Sequence, residues 1–279
     1  MKASVANRGL ILCLALSGAS TAADCPRPGM TLADRAISAN PNRPTISDPA
    51  DITECGVVEV EYGWSRGWSG AGNRSDLYGG LIKFGLLQDL ELRWTLDSFL
   101  SNHENGRGRR GVGDHWTGLQ YRFHHQSKRI PTMALGYAIK RPSADRHKEL
   151  GSGHVDHAMV FLASKDIRGL HWDFNTAVLL AGRDEPGRDR NVELALAFSR
   201  PIQGRLGITG EVWGDTRQNT ETPGFASTLW GLTYAVRPRL VVDAGVDFGL
   251  TTGTPRKRFF AGLTYALADV YGRLARRGP

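Results

Sequence analysis

The sequence predicts an all-β protein, an up-and-down antiparallel transmembrane β-barrel of about 12 strands. Three observations carry that expectation. Between residues 56 and 267, short apolar/polar alternating runs follow one another without a break in composition. The joins alternate in length. Tight ones fall at Leu87-Gln88-Asp89, 126–129, 166–169, 201–204 and Arg237-Pro238-Arg239, and long polar ones at 68–75, 102–110, 143–153, 182–190, 216–223 and 251–256. Within most runs the charged residues keep to one parity and the large apolar residues to the other. A soluble sandwich has no reason to sort its loops by length, whereas an outer-membrane barrel has short periplasmic turns and long external loops.

The ends frame the barrel. Lys2 and Arg8, an apolar core at 10–16 and the small residues Ala19-Ser20-Thr21-Ala22-Ala23 read as an export signal cut after Ala23, or after Ala22. The expected organisation is a signal peptide at 1–23, a periplasmic or plug-like segment at 24–55, the barrel at 56–267 and a tail at 268–279. No stretch holds the roughly 18 consecutive apolar residues of a helical span. Mean hydropathy is −0.31, which does not argue against a barrel, since only every second strand residue meets lipid.

Side chains of a strand alternate between faces, so each run sorts by parity. The first sets Val58, Val60, Tyr62 and Trp64 against Glu59, Glu61 and Gly63. The cleanest sets Leu90, Leu92, Trp94 and Leu96 against Glu91, Arg93, Thr95 and Asp97. Leu119, Tyr121 and Phe123 oppose Asp114, Gly118, Gln120 and Arg122, and Met133, Leu135, Tyr137 and Ile139 oppose Thr132, Ala134, Gly136 and Lys140. Further on, Trp172, Phe174 and Val178 oppose Asp173, Asn175 and Ala177. Val192, Leu194, Leu196 and Phe198 oppose Glu193, Ala195 and Ala197, and Val242, Val246 and Phe248 oppose Asp243 and Asp247. Two runs depart: 156–164 is apolar on both faces, and Trp213 sits on the polar side of 206–215. Aromatics gather toward run ends, as interfacial girdles do. An even strand count returns both chain ends to the short-turn side.

A lipid-facing Arg or Lys costs about 2–4 kcal/mol at the bilayer midplane, so the charged parity is assigned to the lumen. The candidate pore-lining residues are Glu59, Glu61, Lys83, Glu91, Arg93, Asp97, Asp114, Arg122, Lys140, Asp173, Glu193, Glu211, Asp243, Asp247 and Arg258. Acids outnumber bases among them, which favours cations in a water-filled pore; the competing reading is that they pair with one another and fill space. Barrels of this size lie between filled small barrels and open porins. Pro26, Pro28, Pro41, Pro44 and Pro49 keep segment 24–55 out of any central strand. Two placements stay open for it: a plug in the lumen, or a loose periplasmic tail.

Cys13 leaves with the signal, and Cys25 and Cys55 remain outside the strands. Neither Cys13 nor Cys25 follows the small residue of a lipoprotein signal. An oxidising periplasm permits a Cys25–Cys55 disulfide, contributing about 3 kcal/mol by loop closure; two free thiols are the alternative. The formal charge of +7 and pI near 9.5 raise nucleic acid as a partner. The arginines, however, are spread over long loops (Arg74, Arg107, Arg109, Arg110, Arg146, Arg183, Arg188, Arg190) among acids, which suits an anionic envelope surface and argues against nucleic acid. Expected partners are outer-membrane lipids, a small-molecule solute and the barrel-assembly machinery.

Several stretches resemble the outer-membrane transporter family associated with the meta pathway of phenol degradation. They are residues 42–50 (Asn42-Arg43-Pro44-Thr45-Ile46-Ser47-Asp48-Pro49-Ala50) leading into 56–63, then Gly111-Val112-Gly113-Asp114 with 118–122, 131–136, and the last strands from 228 to 267. The resemblance implies an exported barrel acting as a passive channel or transporter for small solutes, including hydrophobic or aromatic ones. One departure is the continuation past Leu267, where such chains commonly end on an aromatic residue recognised during assembly.

Two further functions stay open: a structural or adhesive barrel without a pore, and an outer-membrane lipid-modifying enzyme. No Gly-x-Ser-x-Gly elbow occurs, so no catalytic residue is assigned. His154 and His157 fall on opposite faces if the run is a strand, and no metal or cofactor is expected.

Overall fold

The computed structural model describes Cys25 and residues 36–69, 72–217, 223–251 and 257–277, with side chains to Arg273. The signal segment 1–23, Pro26 and Pro28 lie outside the described residues, as do much of the join at 216–223 and nearly all of that at 251–256. Thirteen strands are present among the described residues: β1 Val57–Trp68, β2 Arg74–Leu87, β3 Leu90–Glu104, β4 Arg107–Gly111, β5 His115–His124, β6 Thr132–Arg141, β7 Asp156–Ile167, β8 Leu170–Gly182, β9 Arg188–Gln203, β10 Leu206–Asp215, β11 Phe225–Arg237, β12 Leu240–Gly249 and β13 Lys257–Asp269. Each pairs antiparallel with its neighbour, and β1 pairs with β13 from Val57↔Asp269 to Trp68↔Lys257, which closes the cylinder. β4 and β5 share one position, pairing with the two halves of β3, so the sheet is a closed barrel of twelve staves. Among the described residues the twelve staves thus close on one another, the condition for spanning lipid with strands, and only the short β4, at the long-loop rim, is paired on one side alone.

The sorted joins become two rims. On one, Gln88-Asp89, Arg168-Gly169, Gly204-Arg205 and Pro238-Arg239 are two-residue turns, with the longer 125–131 among them. Arg168 and Gly169 take φ of 51° and 79°, the pair of left-handed residues that matches strand twist in a tight hairpin. The segment 102–110, expected as a long loop, is instead paired: β3 and β4 extend as a hairpin around Asn105-Gly106, with φ of 50° and 78°. Asn-Gly between strands is the strongest short hairpin signal, and the polar composition hid it.

Outward positions carry a continuous apolar belt that includes Leu92, Trp94, Leu119, Leu135, Met159, Leu194, Val212, Trp230 and Phe259, with Met159 62% exposed. Exposure on this scale in water marks an interaction surface, and here the surface is lipid. On the belt Trp172, Phe198 and Trp230 form a row with centroids 5.7 and 6.0 Å apart, packed over Gly210, where a Cβ would lie 2.7 Å from Phe198.

Below its last lipid-facing residue, Leu267, β13 continues through Asp269 into the short helix α1, Val270–Arg277. Val270 donates its backbone N–H to Gly56 (2.8 Å), and the Tyr271 hydroxyl donates to the Leu86 carbonyl (3.1 Å). Val270 and Tyr271 thus sit on the short-turn rim beside β1.

Candidate functional site: a peptide held inside the barrel

The inner wall is defined by what touches it. Residues 37–55 contain no strand or helix, yet they contact β1, β3, β5, β7, β8, β10 and β12, staves from around the whole ring. Only a segment inside the lumen can do so. It rises from the short-turn rim, where Ile37 packs on Val57 and Ala266 and Ala39 donates to Pro238. It crosses at Arg43–Asp48 and descends to Cys55, whose bridge with Gly85 lies at the foot of β2. Cys25 and Cys55 are joined by a disulfide with Cα atoms 6.0 Å apart, which ties off the base of the loop. Prolines, which cannot donate to a ladder, explain why this peptide crosses the lumen without joining the sheet.

Wall carboxylates act mainly as acceptors for this peptide's backbone. Glu59 accepts from Asn40 N–H (2.6 Å), and Glu61 from Asn42 and Arg43 N–H (2.8 and 3.1 Å). Glu211 accepts from Ile46 and Ser47 N–H, both at 2.7 Å, and Glu91 from Thr53 N–H at 2.6 Å. Ser164 accepts from Ala50 N–H (2.7 Å) and donates to Asp173. Asn175 exchanges hydrogen bonds with both backbone groups of Asp48, each at 2.8 Å. A non-sheet segment carries one donor per non-proline residue, and buried donors must be paired; the wall supplies the partners.

Cations complete the network. Lys83, 1% exposed, lies 2.6 Å from Glu59 and 2.8 Å from Glu61, and donates to the Asn40 carbonyl and the Asn42 side chain. Arg93 bonds Asp48 and Gln120, and Gln120 donates to the Pro49 carbonyl. Arg122 reaches Asp51 and Asp89. From the peptide itself, Arg43 grips Asp243 through two nitrogens, at 3.0 and 2.9 Å. Its guanidinium lies flat on Gly63 and Gly262, where a Cβ would fall 2.6 and 2.5 Å from it; those glycines face each other across β1 and β13.

The fifteen candidate wall residues take up different work, some against the inserted peptide and others at the rims. Glu59, Glu61, Lys83, Glu91, Arg93, Arg122, Asp173, Glu211 and Asp243 engage the inserted peptide directly or through one neighbour. Asp247 pairs with Arg258 at 2.6 Å, and that guanidinium also lies 5.6 Å from the Trp213 ring, which accounts for an indole on the polar face. Lys140 joins Asp114 and Asp156 at the long-loop rim (3.3 and 2.5 Å), where Asp114 also caps the amides of Ser143 and Ala144. Asp97 and Glu193 have no ion pair among the described residues. The two-faced apolar run 156–164 is explained as well: Leu162 and Val160 point inward and pack with Ala134 against Ala50 of the peptide.

Sequence reasoning missed the peptide's own contributions from Asn42, Arg43, Asp48 and Asp51, together with Ser164, Asn175 and the glycine seats. The motif at 42–50 was the available signal. His154 and His157 part company: His154 meets Asp184 at 3.0 Å and His157 meets the Tyr137 hydroxyl at 2.6 Å.

Two cavities flank the crossing. One of about 650 Å³ opens on the short-turn side and another of about 270 Å³ lies on the long-loop side, and Arg43, Pro44 and Thr45 border both. Fold, belt and filled interior define the class: an outer-membrane β-barrel whose lumen is occupied by residues 37–55 of its own chain. The sequence profile of the family described as "Putative MetA-pathway of phenol degradation" matches residues 42–267, and the chain belongs to that family. No curated protein matches the sequence. Among solved structures, the COG4313 outer membrane channel from Pseudomonas putida F1 superposes with a TM-score of 0.63 at 10% identity, over 79% of this chain and 99% of that one. The NanC porin superposes with a TM-score of 0.50 at 11% identity, over 75% and 100%, and the KdgM porin with 0.50 at 9%, over 75% and 99%.

Proposed function

We propose that the protein is a passive outer-membrane channel for small solutes, held closed by residues 37–55. The observation that carries this reading is that Arg43–Thr45 are the shared wall between the two cavities. A solute route along the barrel axis is interrupted there by one thin crossing of the chain. The long-loop-side cavity has apolar walls at Leu77, Leu81, Leu229 and Phe260, which suit a solute with an apolar body, and the family's description makes an aromatic one the natural candidate. We read the barrel as a conduit and not an enzyme, because the interior Ser164 and Asp173 are committed to holding the peptide.

Liposome swelling with graded solutes tests the proposal. The full chain is expected to swell slowly or only with the smallest solutes, and a chain lacking 36–54 to admit larger ones. No swelling for any solute in either form would favour a barrel without a transport role.

A further inference from the structure

The charges bordering the long-loop-side cavity are Arg43, Glu61, Asp97 and Arg258. Three are spoken for. Arg43 is held bidentately by Asp243, Arg258 by Asp247, and Glu61 by Lys83 and two peptide amides. Asp97 differs. Among the described residues its carboxylate has no hydrogen bond or ion pair, and its carboxylate oxygens lie alongside Gly79 and Gly113, 3.1 Å from where a Cβ on either glycine would sit. The neighbouring Asp114 shares Lys140 with Asp156, at 3.3 and 2.5 Å. The cavity therefore presents apolar walls and one uncommitted negative charge, in a volume of about 270 Å³. A site of that kind discriminates through its few polar groups.

We infer that this cavity is a binding site for an organic ammonium ion carrying a compact apolar body, with Asp97 as the group that receives the cation. The inference rests on the channel reading and narrows its substrate class. A neutral hydrocarbon would leave the Asp97 charge desolvated and unpaired, which is costly in a low-dielectric wall. A carboxylate would meet like charge, and both nearby arginines would have to abandon their partners to accept it. An ammonium group satisfies Asp97 with a charge-assisted hydrogen bond while its body takes the place of water against Leu81, Leu229 and Phe260.

The test is equilibrium binding to the full chain in detergent by isothermal titration, using 2-phenylethylammonium, 2-phenylethanol and phenylacetate, which share a body and differ in charge. The ammonium is expected to bind about tenfold or more tightly than the alcohol, with phenylacetate weakest. Asp97→Asn, nearly isosteric, should erase that preference by weakening the ammonium, with the alcohol bound at least as tightly as before. Leu229→Trp, which fills the cavity and keeps Asp97, should weaken all three. Equal binding of the alcohol or the acid, a preference that survives Asp97→Asn, or ammonium binding indifferent to Leu229→Trp would each overturn the inference. Binding needs no transport, so a barrel that binds the ammonium but never swells liposomes would refute only the channel reading.

Discussion

Arg43 and Asp243 meet across the inside of the barrel, 200 residues apart in sequence, with two guanidinium nitrogens at 3.0 and 2.9 Å from the two carboxylate oxygens. The contact exists because Gly63 and Gly262 have no side chain: the arginine lies in the space their Cβ atoms would occupy. Bidentate pairing fixes direction as well as distance, so this one side chain sets where the peptide crosses the lumen.

Gly262→Ala should therefore act as a gating mutation. A methyl group 2.5 Å from the guanidinium obliges Arg43 to leave Asp243, while the backbone contacts of Glu211 and Ser164 still hold the crossing. Single-channel recordings are expected to show a conductance at least twice that of the parent. Asp243→Asn should produce a smaller rise, because one of the two hydrogen bonds survives.

Lys83 is the counter-charge for both Glu59 and Glu61, and all three are buried. Lys83→Met keeps the volume but leaves two carboxylates without a cation, a change that costs about 3–5 kcal/mol when a buried pair is broken. The temperature at which the barrel loses its compact electrophoretic mobility should fall by several degrees or more. Lys83→Arg should recover part of the loss.

The disulfide closes a loop of 30 residues, worth about 3.6 kcal/mol in the chain-entropy model. Cys25→Ser with Cys55→Ser should leave the barrel folded, since both cysteines lie outside its strands, and should loosen the inserted peptide. Open events in bilayer recordings are expected to become more frequent, and mild reduction of the parent should reproduce the effect.

Ala134 is fully buried between Leu162 and Ala50. Ala134→Leu adds three carbons with no space to take them, and overpacking of this kind costs about 1–3 kcal/mol. The strain can be relieved by displacing Ala50, so conductance should rise while strand content by circular dichroism stays constant.

At the long-loop rim, the Arg146 guanidinium beside Asp184 holds that carboxyl below the usual range, with His154 adding to the effect. A carboxyl lowered in the folded state stabilises above its unfolded pKa and ceases to do so as pH falls through the folded value. The tie between the 142–155 loop and Asp184 is thus expected to persist at pH 5 to 7 and to fail only in acid below the ordinary aspartate value of about 3.9. Deuterium uptake by the 142–155 amides, corrected for the intrinsic pH dependence of exchange, should step up only in that acid range, and Asp184→Asn should remove the step.

Much of the cylinder was legible because its physics repeats every two residues. Leu92 and Trp94 against Glu91 and Arg93 state a wet side and a greasy side without reference to anything distant. The two-faced run at 156–164 was not interpretable locally: Leu162 points inward because Ala50, over a hundred residues earlier, packs there. The same limit applies to the candidate site. Parity identifies Glu59, Glu61 and Glu211 as interior acids, but their backbone partners lie in a segment with no periodicity of its own. Prolines told what that segment could not do, and its position inside the barrel came only from contacts spanning the ring. Asn105-Gly106 is a different lesson, since a hairpin signal was present and was read as a loop for its polarity.

The most direct test is hydrogen exchange of the backbone amides of Ile46, Ser47, Ala50 and Thr53 in the folded protein. None belongs to a helix or strand, yet each donates to an interior wall side chain at 2.6 to 2.7 Å. Protection comparable to that of the barrel strands, lost in Glu211→Ala for Ile46 and Ser47, is the expected result. Exchange at the rate of an unstructured peptide would contradict a segment lodged in the lumen and, with it, the closed channel.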